Sequence, residues 1–397
     1  MTDRSAERRV ETTLTRVGRC SEEQYGFINA PIYRGSTTLY RTFDDAMNAR
    51  APFMYGTHGN PTVAHLQSAW TALTGGAGTV ILSSGMAAVS FVLLAVAKSG
   101  DNVLVMDTAY MPTRRFCDEF LRDMGITTTY YDPLITAEEL RSLLTKMPKT
   151  TALIMESPGS QTFEVQDVPT LTTVAREFGV TSVLDNTWAT PLFFDAHGKG
   201  CDISVEAGTK YLGGHSDLLL GMVSANAAWY PKIKHTLSLW QCTPGNEDCF
   251  LALRGLRTLY IRLKEAEKRA LDLAQFLQNR EEVLRVLHPA FPECPGHEIW
   301  KRDFTGSSGL FSIILRPQYT LKDVERMLDG LQLFGMGFSW GGFESLIMYY
   351  DCTANRTATT FAPGGLLIRI QVGLENLEDL KRDLVDGFKR LRGEHQH

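Results

Sequence analysis

The chain has 397 residues, 44% of them hydrophobic and 21% charged, which suits two or three domains with sizeable cores and does not suit a disordered tail. A formal charge of −5 supplies no basic field for nucleic acid, and no Lys/Arg block exceeds short pairs such as Lys381-Arg382. The longest apolar stretch, Met86 to Ala97, falls short of the roughly 18 to 20 residues that cross a bilayer, so no membrane span is expected.

The N-terminal MTDRSAERRVETTLTR carries acidic residues and no apolar core, so it does not read as a secretory leader, and a cytoplasmic location is expected. From residue 1 to about 60 the chain is rich in Arg, Thr, Gly and Tyr with little periodicity. It reads as an extended arm of the kind that crosses a subunit boundary. From 61 to 250, strand-like and helical patterns alternate, as a parallel sheet with crossover helices requires. The runs NVLVMD, TALIMES, VTSVLD and CDISVEA read as strands, and Val168 to Phe178 as a helix between two of them. The segment 251–278 carries Leu253, Leu256, Leu259, Leu263, Leu273 and Phe276 at helical spacing, and leads into a smaller domain, 251–397. That domain holds the strand patterns GLFSIIL and LLIRIQVG. It closes on a helix whose Leu377, Leu380, Leu384, Phe388 and Leu391 form a core-facing stripe.

The seven cysteines are scattered without a CxxC pair and read as reduced thiols. No histidine falls in HExxH or in a Cys/His cluster, so no metal is expected.

The chemistry concentrates on two residues. Asp185 ends VTSVLD and Lys210 lies in CDISVEAGTKYLGGHSD, each read at the end of a β-strand, where ligands collect in an open α/β sheet. A lysine amine can capture the aldehyde of pyridoxal 5'-phosphate (PLP), and a carboxylate can keep its ring nitrogen protonated. Taken singly, each is more readily a solvated lysine and a turn or cap aspartate. In LSSGMAAVSFVLLAV, Ser84, Gly85 and Met86 stand where a helix begins, and its unpaired N–H groups suit a phosphate. Gly85 would let the chain approach that anion closely. Tyr110, in DTAYMPTRRF, could stack on a flat ring or simply pack in its loop. Thr209 offers a hydroxyl to the phosphate, or is a strand threonine.

With these residues assembled, the chain resembles the PLP-dependent enzymes of cysteine and methionine metabolism, the cystathionine lyases and synthases. The likeness runs through IYRGSTTLY, SSGMAA, DTAYMP, ESPGS, LDNTWATP, EAGTKYLGGHSD, RGLRTL, HEIWKRDFTGSSGLFS, SWGGFESL and LIRIQVGLE. ESPGS and FSWGGFESL place it nearest the bacterial cystathionine β-lyase branch. The resemblance implies an α/β PLP-dependent transferase fold (aspartate aminotransferase-like, fold type I), with a mostly parallel central sheet and a smaller C-terminal α/β domain.

It also implies roles. Lys210 would bind the cofactor covalently and act as base, Asp185 would pair with the pyridinium, and Tyr110 would stack on the ring. Gly85, Met86 and Thr209 would hold the phosphate. Arg369 would clamp the substrate carboxylate, Ser339 and Trp340 would line the pocket, and Tyr55 would arrive from the neighbouring subunit. The implied assembly is a homotetramer, a dimer of dimers. The implied reaction is β-elimination, cleaving cystathionine to homocysteine, pyruvate and ammonia, with Ser160 and Trp340 favouring β- over γ-cleavage. A γ-lyase, a γ-synthase, a broader cysteine-S-conjugate β-lyase and a catalytically silent PLP-binding protein stay open. Two positions depart from the family pattern. Thr57, followed by His58, stands where most relatives carry an arginine two residues after the tyrosine, and Ala207 replaces a serine three positions before the lysine.

Overall fold

The computed structural model describes residues 9–394; residues 1–8 of the expected arm lie outside them. Among the described residues, twelve strands form two sheets. β1 (Gly78–Leu82), β2 (Asn102–Met106), β3 (Thr127–Tyr131), β4 (Thr150–Glu156), β5 (Thr181–Asp185), β6 (Ile203–Ala207) and β7 (Gly221–Ala225) make the larger one. Its order is β1-β7-β6-β5-β4-β2-β3. Strands β2 to β6 run parallel, and β7 is antiparallel to both neighbours. The mostly parallel sheet expected from the sequence is therefore present.

All residues of β1, β2 and β7 are buried, so both faces of the sheet are covered there. The helix Val168–Glu177 lies where expected, started by Asp167, whose carboxylate accepts from the Thr170 N–H. Strand order reverses between β2 and β4: from there the chain runs outward to β3 on one side and through β5 and β6 on the other. Such a reversal opens a crevice at the strands' carboxyl ends.

β8 (Val283–Leu287), β9 (Leu310–Leu315), β10 (Gly335–Met336), β11 (Leu346–Tyr350) and β12 (Leu367–Gln371) form the second sheet, in the order β10-β11-β12-β9-β8. Its core joins Phe311, Ile313, Ile368 and Ile370 to Leu380, Leu384, Phe388 and Leu391 of the helix Leu377–Leu391. Burying each such side chain contributes about 1.5–3 kcal/mol. The stripe read from sequence thus packs on this sheet, with Leu377 at its margin. The long helical segment at 251–278 is two helices, Asn246–Leu256 and Leu259–Gln278. They part at Thr258, whose ψ of 7° leaves the helical range.

Two buried carboxylates fasten the loop between β11 and β12 onto the larger sheet. Asp107, just past β2, accepts from the backbone N–H groups of Thr357, Ala358 and Thr359 and from Arg114 at 2.9 Å. Glu164 pairs with Arg356 at 2.8 Å. Because both pairs are withdrawn from water, breaking one leaves an unpaired buried charge, which is what makes the fastening firm.

Candidate active site

Asp185 is the last residue of β5, as the sequence suggested. Its Oδ1 accepts from the Thr187 N–H at 3.0 Å and from the Thr187 hydroxyl. That hydroxyl oxygen in turn accepts from the Ala207 N–H at 2.9 Å, tying the ends of β5 and β6 together. Lys210 differs from expectation: it lies three residues past the end of β6, in the turn that reverses the chain toward antiparallel β7. Its N–H donates to the Ala207 carbonyl and its own carbonyl accepts from Gly214, so the turn is internally braced.

The Lys210 ammonium donates to Ser339 Oγ at 2.6 Å and lies 5.3 Å from the Trp340 ring centroid. Burial, with a smaller push from the Arg369 charge, lowers its pKa to about 8 against the pull of Asp185. Burial raises the Asp185 pKa, opposed by the Thr187 hydrogen bonds and by Lys210. A second carboxyl stands beside it. Glu156 ends β4 in direct register with Asp185, and burial followed by the Asp185 charge holds its pKa well above the usual range.

Tyr110 opens the helix Met111–Arg115 at the same edge, and its N–H donates to Glu156 Oε2 at 2.8 Å. That N–H and the nearby Ser160 hydroxyl oppose the rise in the Glu156 pKa. The Tyr110 ring is 45% exposed, leaving a face toward the crevice; burial raises the pKa of its hydroxyl, with Glu156 adding to the effect.

The helix Gly85–Val96 starts as expected, with Ser84 Oγ accepting from the Ala87 N–H at 3.0 Å. Gly85 has a reason the sequence did not suggest. A Cβ there would lie 2.6 Å from Ala207 Cβ, so glycine is needed for the helix to approach β6. Met86 is half-buried, its sulfur 4.0 Å from the Thr113 hydroxyl. Thr209 is in the turn, not in a strand. Its hydroxyl oxygen accepts from the Leu220 N–H at 3.0 Å and donates to the Leu220 carbonyl at 3.3 Å.

Arg369, at the centre of β12, is 3% exposed. Its Nη2 donates to the carbonyls of Gly337 and Ser339 at 3.1 and 3.0 Å, while its Nε is buried without a partner. The loop it grips bends sharply, with φ +76° at Ser339 and +83° at Gly341. A Cβ on Gly341 would meet Tyr211 N at 2.9 Å and Lys210 Cα at 3.2 Å, so this glycine lets the loop lie against the lysine's backbone. Trp340 packs on Tyr211 with ring centroids 5.4 Å apart.

The fold thus brings Lys210, Asp185, Tyr110, Arg369, Ser339 and Trp340 into one crevice, with Gly85, Met86 and Thr209 at its rim. Tyr55 stands apart on the arm, 45% exposed and bridged to Thr37. The Thr57 hydroxyl donates to Gln241 Oε1 at 3.2 Å, and His58 is exposed. Glu156, Thr187 and Gly341 were missed. Glu156 was legible in ESPGS as the acid ending a strand at the shared edge, whereas Thr187 and Gly341 matter only through contacts distant in sequence.

A half-buried lysine with a lowered pKa, facing an acid pair and a helix start at the reversal of a mostly parallel sheet, defines the PLP-binding enzymes of the open α/β class, and these side chains fit that cofactor. The chain belongs to the family described as Cys/Met metabolism PLP-dependent enzyme, whose model matches residues 11–389. It is 54% identical over 333 residues to a Saccharomyces cerevisiae protein, covering 84% of this chain and 97% of that one. It is 38% identical to the cystathionine beta-lyase MetC of Escherichia coli, covering 97% and 100%. A solved cystathionine gamma synthase of Xanthomonas oryzae is 30% identical and superimposes with a TM-score of 0.90 over 98% of this chain and 100% of that one. Among the described residues no helix is long and apolar enough to cross a membrane.

Proposed function

We propose that this protein is a carbon–sulfur β-lyase that cleaves cystathionine, with water, to homocysteine, pyruvate and ammonia. The observation that carries the reading is the Lys210 amine, held by Ser339 beneath Trp340 and close enough to Asp185 and Arg369 to feel both charges. The 38% identity to a cystathionine beta-lyase over nearly the whole chain supports it.

PLP, when bound, withdraws electrons from the substrate's Cα. The protein's own groups do the rest. Lys210 would bind the cofactor aldehyde in the resting enzyme and, once displaced, take the Cα proton; its lowered pKa leaves a useful fraction of free amine near neutral pH. The same amine then delivers a proton to the sulfur as the Cβ–S bond breaks. Asp185, whose charged form the Thr187 hydrogen bonds and Lys210 favour against burial, would pair with the ring nitrogen and hold it protonated. Tyr110 would stack on the ring. The N–H groups at Gly85 and Met86, with the Thr209 hydroxyl, would hold the phosphate. Arg369, its Nη2 held by the Gly337 and Ser339 carbonyls, would bind the substrate α-carboxylate as a buried cation. Ser339 and Trp340 would line the pocket.

We infer an arm to about residue 60, a cofactor domain at 61–250 and a C-terminal domain at 251–397. The arm presents Tyr25, Leu39 and Phe43 at 98%, 88% and 81% exposure, which suits burial against a second subunit and delivery of Tyr55 to that subunit's site. A pair of such dimers is the assembly proposed.

The test is product analysis with purified, PLP-loaded protein and cystathionine. Homocysteine with pyruvate is expected; cysteine with 2-oxobutyrate would replace this reading with γ-cleavage. Borohydride reduction and peptide mapping should find the phosphopyridoxyl group on Lys210.

A further inference from the structure

Tyr350 occupies a position that the proposed reaction leaves unused. It ends β11, which runs antiparallel to β12 with Met348 opposite Arg369 and Tyr350 opposite Leu367. Tyr350 is two residues beyond Met348, so it shares that residue's face and is the diagonal neighbour of Arg369. The ring is used: the Arg369 Cζ lies 4.9 Å from the Tyr350 centroid. Phe338, on the loop after β10, packs edge-on against that ring with centroids 6.4 Å apart.

Arg369 needs such a support. Among the described residues no carboxylate pairs with it, although it is almost wholly buried. Two carbonyls hold one nitrogen, Nη2, while Nε has no partner, so hydrogen bonds support only one side of the planar group. An aromatic face beneath the cation adds support and partly replaces lost hydration.

We propose that Tyr350 is a positioning residue for carboxylate recognition: its ring holds the Arg369 guanidinium in its place beside Lys210, and so sets affinity for the amino acid's α-carboxylate. The proposal rests on the reading of Arg369 as carboxylate clamp, and not on which carbon–sulfur bond is cut.

The experiment uses holoenzyme and two probes followed by the cofactor's visible absorption: glycine, an amine with a carboxylate, and methoxyamine, an amine without one. Tyr350→Leu should weaken glycine binding about 3- to 30-fold. It should leave the methoxyamine rate unchanged and raise KM for cystathionine more than it lowers kcat. Tyr350→Phe keeps the ring and should restore most of the glycine affinity. Equal loss toward both probes, or unchanged glycine affinity in Tyr350→Leu, overturns the proposal. Arg369→Ala, run alongside, separates the two levels. If it weakens glycine and Tyr350→Leu does not, the positioning role alone falls. If neither variant weakens glycine, the clamp falls with it.

Discussion

Glu156 and Asp185 end neighbouring parallel strands in direct register, so two carboxyl groups share one half-buried crevice. Two negative charges this close in a desolvated place are unfavourable, and one proton stays with the pair. Asp185 has Thr187 and Lys210 to hold its charge, so Glu156 keeps the proton. Glu156→Gln should therefore retain turnover within about threefold, whereas Asp185→Asn should lose about 100-fold or more while still binding PLP. Steady-state kinetics with an absorption spectrum of each variant checks both; a Glu156→Gln enzyme as impaired as Asp185→Asn would show that Glu156 works ionised.

The lowered pKa of Lys210 predicts a pH profile. Below about 8 the amine is protonated and unreactive, and above it the free base predominates. The rate at which apoenzyme recaptures PLP should rise with pH through about 8 instead of levelling near the ordinary lysine value. Arg369→Ala removes a charge that helps lower that pKa, so the profile should move to higher pH. Stopped-flow absorbance reads both, and a profile unmoved in Arg369→Ala would contradict the electrostatic account.

Glu206, 3% exposed on β6, accepts from the Ser204 hydroxyl at 3.1 Å and has an Oε2 without a partner. Burial raises its pKa to about 8. Since the folded value exceeds the unfolded one of 4.5, its contribution is full below pH 4.5 and is lost as pH rises through 8. Glu206→Gln should raise Tm relative to the parent by about 2 °C or more at pH 8.5, with a smaller difference at pH 5. Thermal scans at the two pH values decide it.

Asp107 has the opposite sign. Its many hydrogen bonds outweigh burial and lower its pKa to about 2. The stability it supplies is present above the unfolded value of 3.8 and disappears as pH falls toward 2. Asp107→Ala should cost about 3–5 kcal/mol, because Arg114 is left buried and unpaired. Denaturant unfolding measures this, and limited proteolysis should find the 353–360 loop newly cleavable.

Gly341→Ala tests the loop against Lys210. An added Cβ meets backbone atoms that cannot turn aside, and φ is +83°. The expected cost is about 1–3 kcal/mol, with lower turnover because Ser339 and Trp340 move with the loop. Unchanged kinetics and stability would show that the loop relaxes freely.

Much of this could be read along the chain. Buried parallel strands are short apolar runs ending in polar residues, so NVLVMD and VTSVLD disclosed both themselves and the edge where Asp185 stands. The family motifs then supplied the roles implied for Lys210 and Arg369. Six strands escaped: β3, TTTYY, and the short β10 have no apolar pattern, while the short apolar runs of β1, β7, β8 and β11 cannot be told from buried helix by periodicity alone. The break at Thr258 escaped because the helical stripe runs straight through it.

What local pattern could not hold is contact between distant segments. Ser339 meets Lys210 across 129 positions and Thr357 meets Asp107 across 250. Glu156 matters only because β4 and β5 are adjacent and in register. Hydrophobic periodicity records which face of a segment is buried, and says nothing about which other segment buries it. Strand order, register and the seating of one sheet's loops on the other decided which charges face each other, and with them every shifted pKa in the crevice.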